Sequence, residues 1–140
     1  TASIIPFVES NYRVKKDAAS RAIAGLSMGG LETLEALITC PRMFKYVWVL
    51  SSGWFKNNPD AFKEYERRLN AAAPAIKKSV SQLVFTQGGP TDSAYENCKE
   101  TLKLFDAAGI SYESYLDGNA RHSWPTWRRD LHNLAPRLFK

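Results

Sequence analysis

Cysteine and histidine are scarce in this 140-residue chain, two of each. Cys40 and Cys98 are too few and too far apart for a disulfide framework or a zinc cluster, so no metal and no cofactor is expected. No apolar run approaches the roughly 20 residues of a membrane span, and no basic start followed by an apolar stretch opens the chain. A soluble chain with no membrane partner, unsecreted or already trimmed, is the expectation. Eight glycines and seven prolines exclude collagen and low-complexity tracts. Acidic residues are outnumbered, 14 against 19 Lys and Arg, which leaves a net charge of +5. That excess is scattered in pairs, Lys15-Lys16, Arg67-Arg68, Lys77-Lys78 and Arg128-Arg129, rather than gathered in a basic block with interleaved aromatics. Nucleic acid is therefore not an expected partner. Only from Arg121 onward do cations dominate, where Arg121, Arg128, Arg129, Arg137 and Lys140 face Asp130 alone. A solvated helix face explains that before an attraction to acidic substrates does.

What is present, 44% hydrophobic and 24% charged residues, suits one ordinary globular domain over residues 1–140. Ile5, Val8 and Tyr12 share a helical face over residues 3–13. Residues 21–25 form a short apolar run fit for a buried strand, and Leu31, Leu34, Leu37 and Ile38 then make a helix stripe ended by Cys40-Pro41. Residues 46–50 and 82–86 read as buried strands. Between them a helical excursion spans about 54–79, started by Asn58 as cap and Pro59 at its first position and strengthened by a Glu64/Arg68 pair. Tyr95, Cys98, Leu102 and Phe105 share the inner face of a further helix, which makes Cys98 a core thiol, and Gly109 ends it. Residues 111–116 alternate as a fourth strand, and a loop around His122 leads to a last helix. Strand and helix alternate throughout, so the fold class is α/β, a parallel sheet with crossover helices.

Gly25-Leu26-Ser27-Met28-Gly29 matches G-x-S-x-G, the elbow that holds a nucleophilic serine in a strained strand-to-helix turn. The match falls between a predicted strand and a predicted helix, as that role requires. The backbone N–H of Met28 then points from the helix start toward an attacked carbonyl oxygen and forms half of an oxyanion hole. Serine needs a base. His122 follows the last strand and can reach over the sheet edge, whereas His132 lies within the last helix on its surface. The third member is a carboxylate after an earlier strand. Asp92 fits, and a Ser93-x-x-Glu96 capping box of its own for the following helix leaves the Asp92 side chain free. Asp117, at the end of the last strand, is the alternative.

Residues 6–14, Gly25-Leu-Ser-Met-Gly-Gly30, Ser51-Ser-Gly53 and His122-Ser-Trp124 with Trp127 resemble the esterase D-like α/β-hydrolases. Within them the chain is most similar to the feruloyl and acetyl xylan esterases of carbohydrate esterase family 1. The resemblance implies a three-layer α/β-hydrolase that hydrolyses feruloyl or acetyl esters of plant-wall polysaccharide, in a secreted or periplasmic setting, with Ser27 as nucleophile, His122 as base and Asp92 as acid. Arg121 departs from the small residue usual before that histidine. In that family several strands and a loop supplying the second oxyanion N–H precede the elbow strand. The resemblance thus makes the chain the C-terminal half of the fold, about four strands with flanking helices, and a slow esterase on its own. An uncovered elbow strand predicts a homo-oligomer paired through residues 20–26. A non-catalytic module that binds sugar or phenolic rings through Trp54, Trp124 and Trp127 is the second reading; Trp54 and Trp124 are the substrate-binding candidates in either case.

Overall fold

The computed structural model describes residues 3–116 and 118–140. Four strands, β1 (Ala22–Leu26), β2 (Tyr46–Leu50), β3 (Gln82–Thr86) and β4 (Glu113–Tyr115), form one sheet in the order β1-β2-β3-β4, every neighbouring pair parallel. Each connection carries a helix: α2 (Met28–Thr39), α3 (Pro59–Ser79) and α4 (Tyr95–Ala107). Helix α1 (Ile4–Asn11) precedes the sheet, and α5 (Trp124–Leu134) follows it.

Side-chain alternation along the strands explains the layers. Val47 and Val49 of β2 and Leu83 and Phe85 of β3 face one side, where they meet Leu34 and Leu37 of α2, Leu69 and Ile76 of α3, and Leu102 and Phe105 of α4. Trp48, Leu50 and Val84 face the other side and meet Leu134 of α5. The sheet is therefore sandwiched between two unequal helical layers, and β2, buried at all five positions, lies at its centre. At about 25 cal/mol per Å² of apolar surface, burying one such Leu or Phe side chain contributes about 2 kcal/mol, so β2 and β3 carry much of the stability.

Helix α3 starts as its sequence requires, with the Asn58 side chain accepting from the Ala61 N–H at 3.2 Å. Its charges pair differently from the expectation. Glu64 takes Arg67, three residues on, at 2.6 Å, while Arg68 reaches across to Glu35 of α2. The i,i+4 rule holds for an isolated helix; here a neighbouring helix offers Arg68 a second carboxylate, and the ion pair ties α2 to α3. Helix α1 buries none of its residues and is held in part by the Glu9–Arg21 pair. Among the described residues, β1 pairs with β2 alone.

Candidate active site

The first residue past each of three strands sits in one row at the C-terminal edge of the sheet. Ser27 donates its N–H to the Leu50 carbonyl, Ser51 to Thr86 and Gln87 to Tyr115, at 2.9, 2.8 and 2.9 Å. This edge is where parallel sheets present their ligands. Ser27 has φ +54 and ψ −120, a left-handed conformation that a residue with a side chain adopts only under constraint. The constraint is visible at Gly25, where a Cβ would stand 1.9 Å from the Gly29 carbonyl oxygen. The chain doubles back so tightly that no side chain fits.

The structure brings Ser27, His122 and Asp92 together. Ser27 Oγ lies 2.9 Å from Nε2 of His122, and the Nδ1 of that ring lies 2.8 Å from Oδ1 of Asp92. Three separate loops supply them, after β1, β3 and β4. Asp92 is buried, and its carboxylate also accepts the N–H groups of Gly88 and Ala94, each at 2.9 Å. Burial disfavours its charge, but the neighbouring Ser51 hydroxyl, the amides of Ala94 and Gly88 and the His122 ring outweigh that, so its pKa lies below the ordinary aspartate value.

The expected capping box is not what forms. Ala94 is the N-cap residue of α4 and makes no side-chain cap bond, and it is Asp92 that takes the Ala94 N–H. The carboxylate has enough lone pairs to serve the turn and the imidazole at once, so it need not be left free to do the second job. Asp117 lies outside the described residues.

Met28 opens α2, so its N–H has no acceptor within the helix. Its side chain, with Leu31, Phe55, Asn97, Ser27 and His122, lines a cleft of about 230 Å³. Trp54 does not line it. That ring is buried in the core, stacked on Tyr65 at 4.9 Å and on Phe105 at 5.9 Å, which corrects its assignment as a substrate contact. The next residue, Phe55, is half exposed and faces the cleft. Nothing in the local sequence separates the two aromatics; Trp54 donates its own N–H to the Thr101 hydroxyl of α4 at 2.7 Å, which ties its backbone to that helix. Trp124 is exposed and packs edge-on against Trp127, away from the cleft lining. His132 is exposed on α5, and Cys98 is fully buried with its thiol pushed up to about 12, chiefly by burial.

A larger cavity of about 410 Å³ lies between β4 and α5 and contains none of the three triad candidates. Its two cations are already engaged, Arg137 with Glu113 and Arg129 with the buried Asp130. The run of positive charge near the C-terminus is thus partly neutralised in the fold. Among the described residues, no group of three His, Cys, Asp or Glu could hold a metal ion.

The model of the family described as Putative esterase matches residues 1–138. A curated relative named Endo-1,4-beta-xylanase/feruloyl esterase, from Xylanibacter ruminicola, is 32% identical over 137 residues, which is 98% of this chain and 17% of that protein. Among solved structures, an S-formylglutathione hydrolase from Staphylococcus aureus superposes with a TM-score of 0.80 at 19% identity, over 98% of this chain and 58% of the other. The feruloyl esterase module from Clostridium thermocellum, complexed with sinapinate, gives 0.75 at 23%, over 98% and 55%. The fold is that of these α/β-hydrolases, and the chain spans less than three fifths of either structure.

Proposed function

This chain belongs to the Putative esterase family, and on that footing we propose that it is a serine carboxylic-ester hydrolase acting through an acyl-enzyme. The observation that carries the reading is the continuous hydrogen-bonded line from Ser27 Oγ through His122 to Asp92. Ser27 Oγ attacks the ester carbonyl carbon while His122 Nε2 takes its proton. Asp92, held as a carboxylate, keeps the proton of His122 on Nδ1 and balances the imidazolium. The oxygen that gains charge is met by the Met28 N–H at the start of α2. Collapse of the tetrahedral species breaks the bond to the alcohol, which leaves with the proton from His122. Water, deprotonated by the same ring, then releases the acid and restores Ser27.

The substrate we propose is a feruloyl or acetyl ester of plant-wall polysaccharide. The name of the Xylanibacter relative supports it, as does a cleft with an aromatic wall at Phe55 beside the reacting serine. Trp124, exposed near the His122 loop, offers a second ring for a sugar or phenol. For partners, we propose a second copy of this chain joined through the outer edge of β1.

Turnover of a chromogenic acetate and ferulate release from arabinoxylan test the reading. Ser27→Ala and His122→Ala should each lower kcat by at least about 10³-fold, since members of a triad act as a unit. Unchanged turnover in either variant, with no labelling of Ser27 by a fluorophosphonate, would leave a ring-binding module as the better account.

A further inference from the structure

Ser51 combines three properties that its place in the chain does not explain. It follows the central strand directly, has φ +46 and is wholly buried. A left-handed serine without solvent contact is costly to keep, so its side chain must be wanted where it is. Its hydroxyl accepts the indole N–H of Trp127 at 3.0 Å. A hydroxyl that accepts in this way has its single proton free for another acceptor, and Asp92, whose charged form the neighbouring Ser51 hydroxyl favours, is the nearby carboxylate. The same indole also stands edge-on to the His122 ring, centroids 5.2 Å apart and planes at 89°. One residue of α5 thus contacts the His122 ring and the Ser51 hydroxyl at once.

We propose that Ser51 and Trp127 form a positioning pair: Trp127 orients the Ser51 proton onto Asp92 and braces the His122 ring, so that Nε2 stays aimed at Ser27 Oγ. The inference rests on the ester-hydrolase reading, although its geometry can be tested without turnover. Neither residue is a catalytic residue in the strict sense, since Ser51, although in the wall of the cleft, is 0% exposed and Trp127 acts through its neighbours. The titratable groups facing Asp92 are His122 and the Cys98 thiol.

Ser51→Ala and Trp127→Phe, singly and together, test the pair. Alanine keeps the backbone demand of Ser51 unchanged, and phenylalanine keeps a ring against His122 while deleting the N–H. The readouts are the rate of Ser27 labelling by a fluorophosphonate across pH, kcat and KM for a chromogenic acetate, thermal unfolding, and the downfield proton resonance of the His122 Nδ1–H. Each single variant should lower kcat and the labelling rate about tenfold with KM little changed, and the double variant should be no worse than Ser51→Ala. The acid limb of the rate profile should move to higher pH, because a carboxylate that has lost a donor holds the imidazolium proton more tightly. Labelling as fast as the parent at every pH, or losses that multiply in the double variant, would overturn the pair. So would rate losses that merely track lost thermal stability. If the parent is not labelled at Ser27, the esterase reading fails by itself; the pair then stands or falls on whether Ser51→Ala moves the Nδ1–H resonance.

Discussion

The backbone of Gly88 lies against the backbone of Arg121: a Cβ on Gly88 would stand 1.8 Å from the Arg121 carbonyl oxygen, and the Arg121 N–H donates to the Gly88 carbonyl at 2.9 Å. The loop that carries Asp92 and the loop that carries His122 are therefore joined main chain to main chain. Gly88 also donates its N–H to Asp92, so one residue sets the acid and the reach of the base together. Gly88→Ala should force the two loops apart. We expect a loss of about 1–3 kcal/mol in stability, the usual cost of overpacking a site that cannot yield, and at least tenfold slower labelling of Ser27. Denaturant unfolding and labelling kinetics on the same preparation check it.

The two outer glycines of G-x-S-x-G should respond in opposite ways. Gly25 has no room for a side chain, with the Gly29 oxygen 1.9 Å from its would-be Cβ, whereas a Cβ on Gly29 meets nothing within 4 Å. Gly25→Ala should destabilise the protein by at least about 2 kcal/mol. Gly29→Ala, in the first turn of α2, should be neutral or stabilising by up to about 1 kcal/mol. Thermal melts of the two variants decide it, and equal losses would contradict the contrast.

Only one thiol should react in the native protein. Cys98 is fully buried and its thiol is pushed up to about 12, first by burial, while Cys40 is half-buried at the end of α2. Thiolate is the reactive form, so Ellman's reagent should count one cysteine under native conditions and two after denaturation. Fast modification of both in the folded state would show that the α4 face of the core opens.

Acid should remove the contribution of Asp92 in a definite direction. Its folded pKa is depressed below the ordinary value of 3.8, so the unfolded chain binds the proton first as pH falls. Its stabilisation is complete above about pH 5 and is lost as pH drops through the folded value. Unfolding free energies of the parent and Asp92→Asn, compared from about pH 5 downward, should converge. A gap that widens toward low pH has the wrong sign for this account.

Pairing of copies through β1 should be visible as a dimer or higher species by light scattering, and a charge placed on the outer edge, Ala24→Lys, should dissociate it. A monomer at all working concentrations counts against that partner.

The sequence alone determined the order of the elements and picked out Ser27, Asp92 and His122, the three side chains that the structure brings together. The reasons are local: β2 is an unbroken β-branched and aromatic run, Asn58-Pro59 is a helix start in itself, and Gly25 and Gly29, two residues either side of Ser27, mark a tight strand-to-helix turn. Three things were decided only by the tertiary structure. Arg68 left its own helix for Glu35 because a second helix packed alongside. Asp92 became both turn cap and histidine partner because the two loops meet at Gly88 and Arg121. Trp54 went into the core and Phe55 into the cleft where Thr101, 47 residues further on, holds the Trp54 N–H. Each of these depends on which atoms come within about 3–4 Å of one another across the fold, and spacing along a chain does not specify that distance.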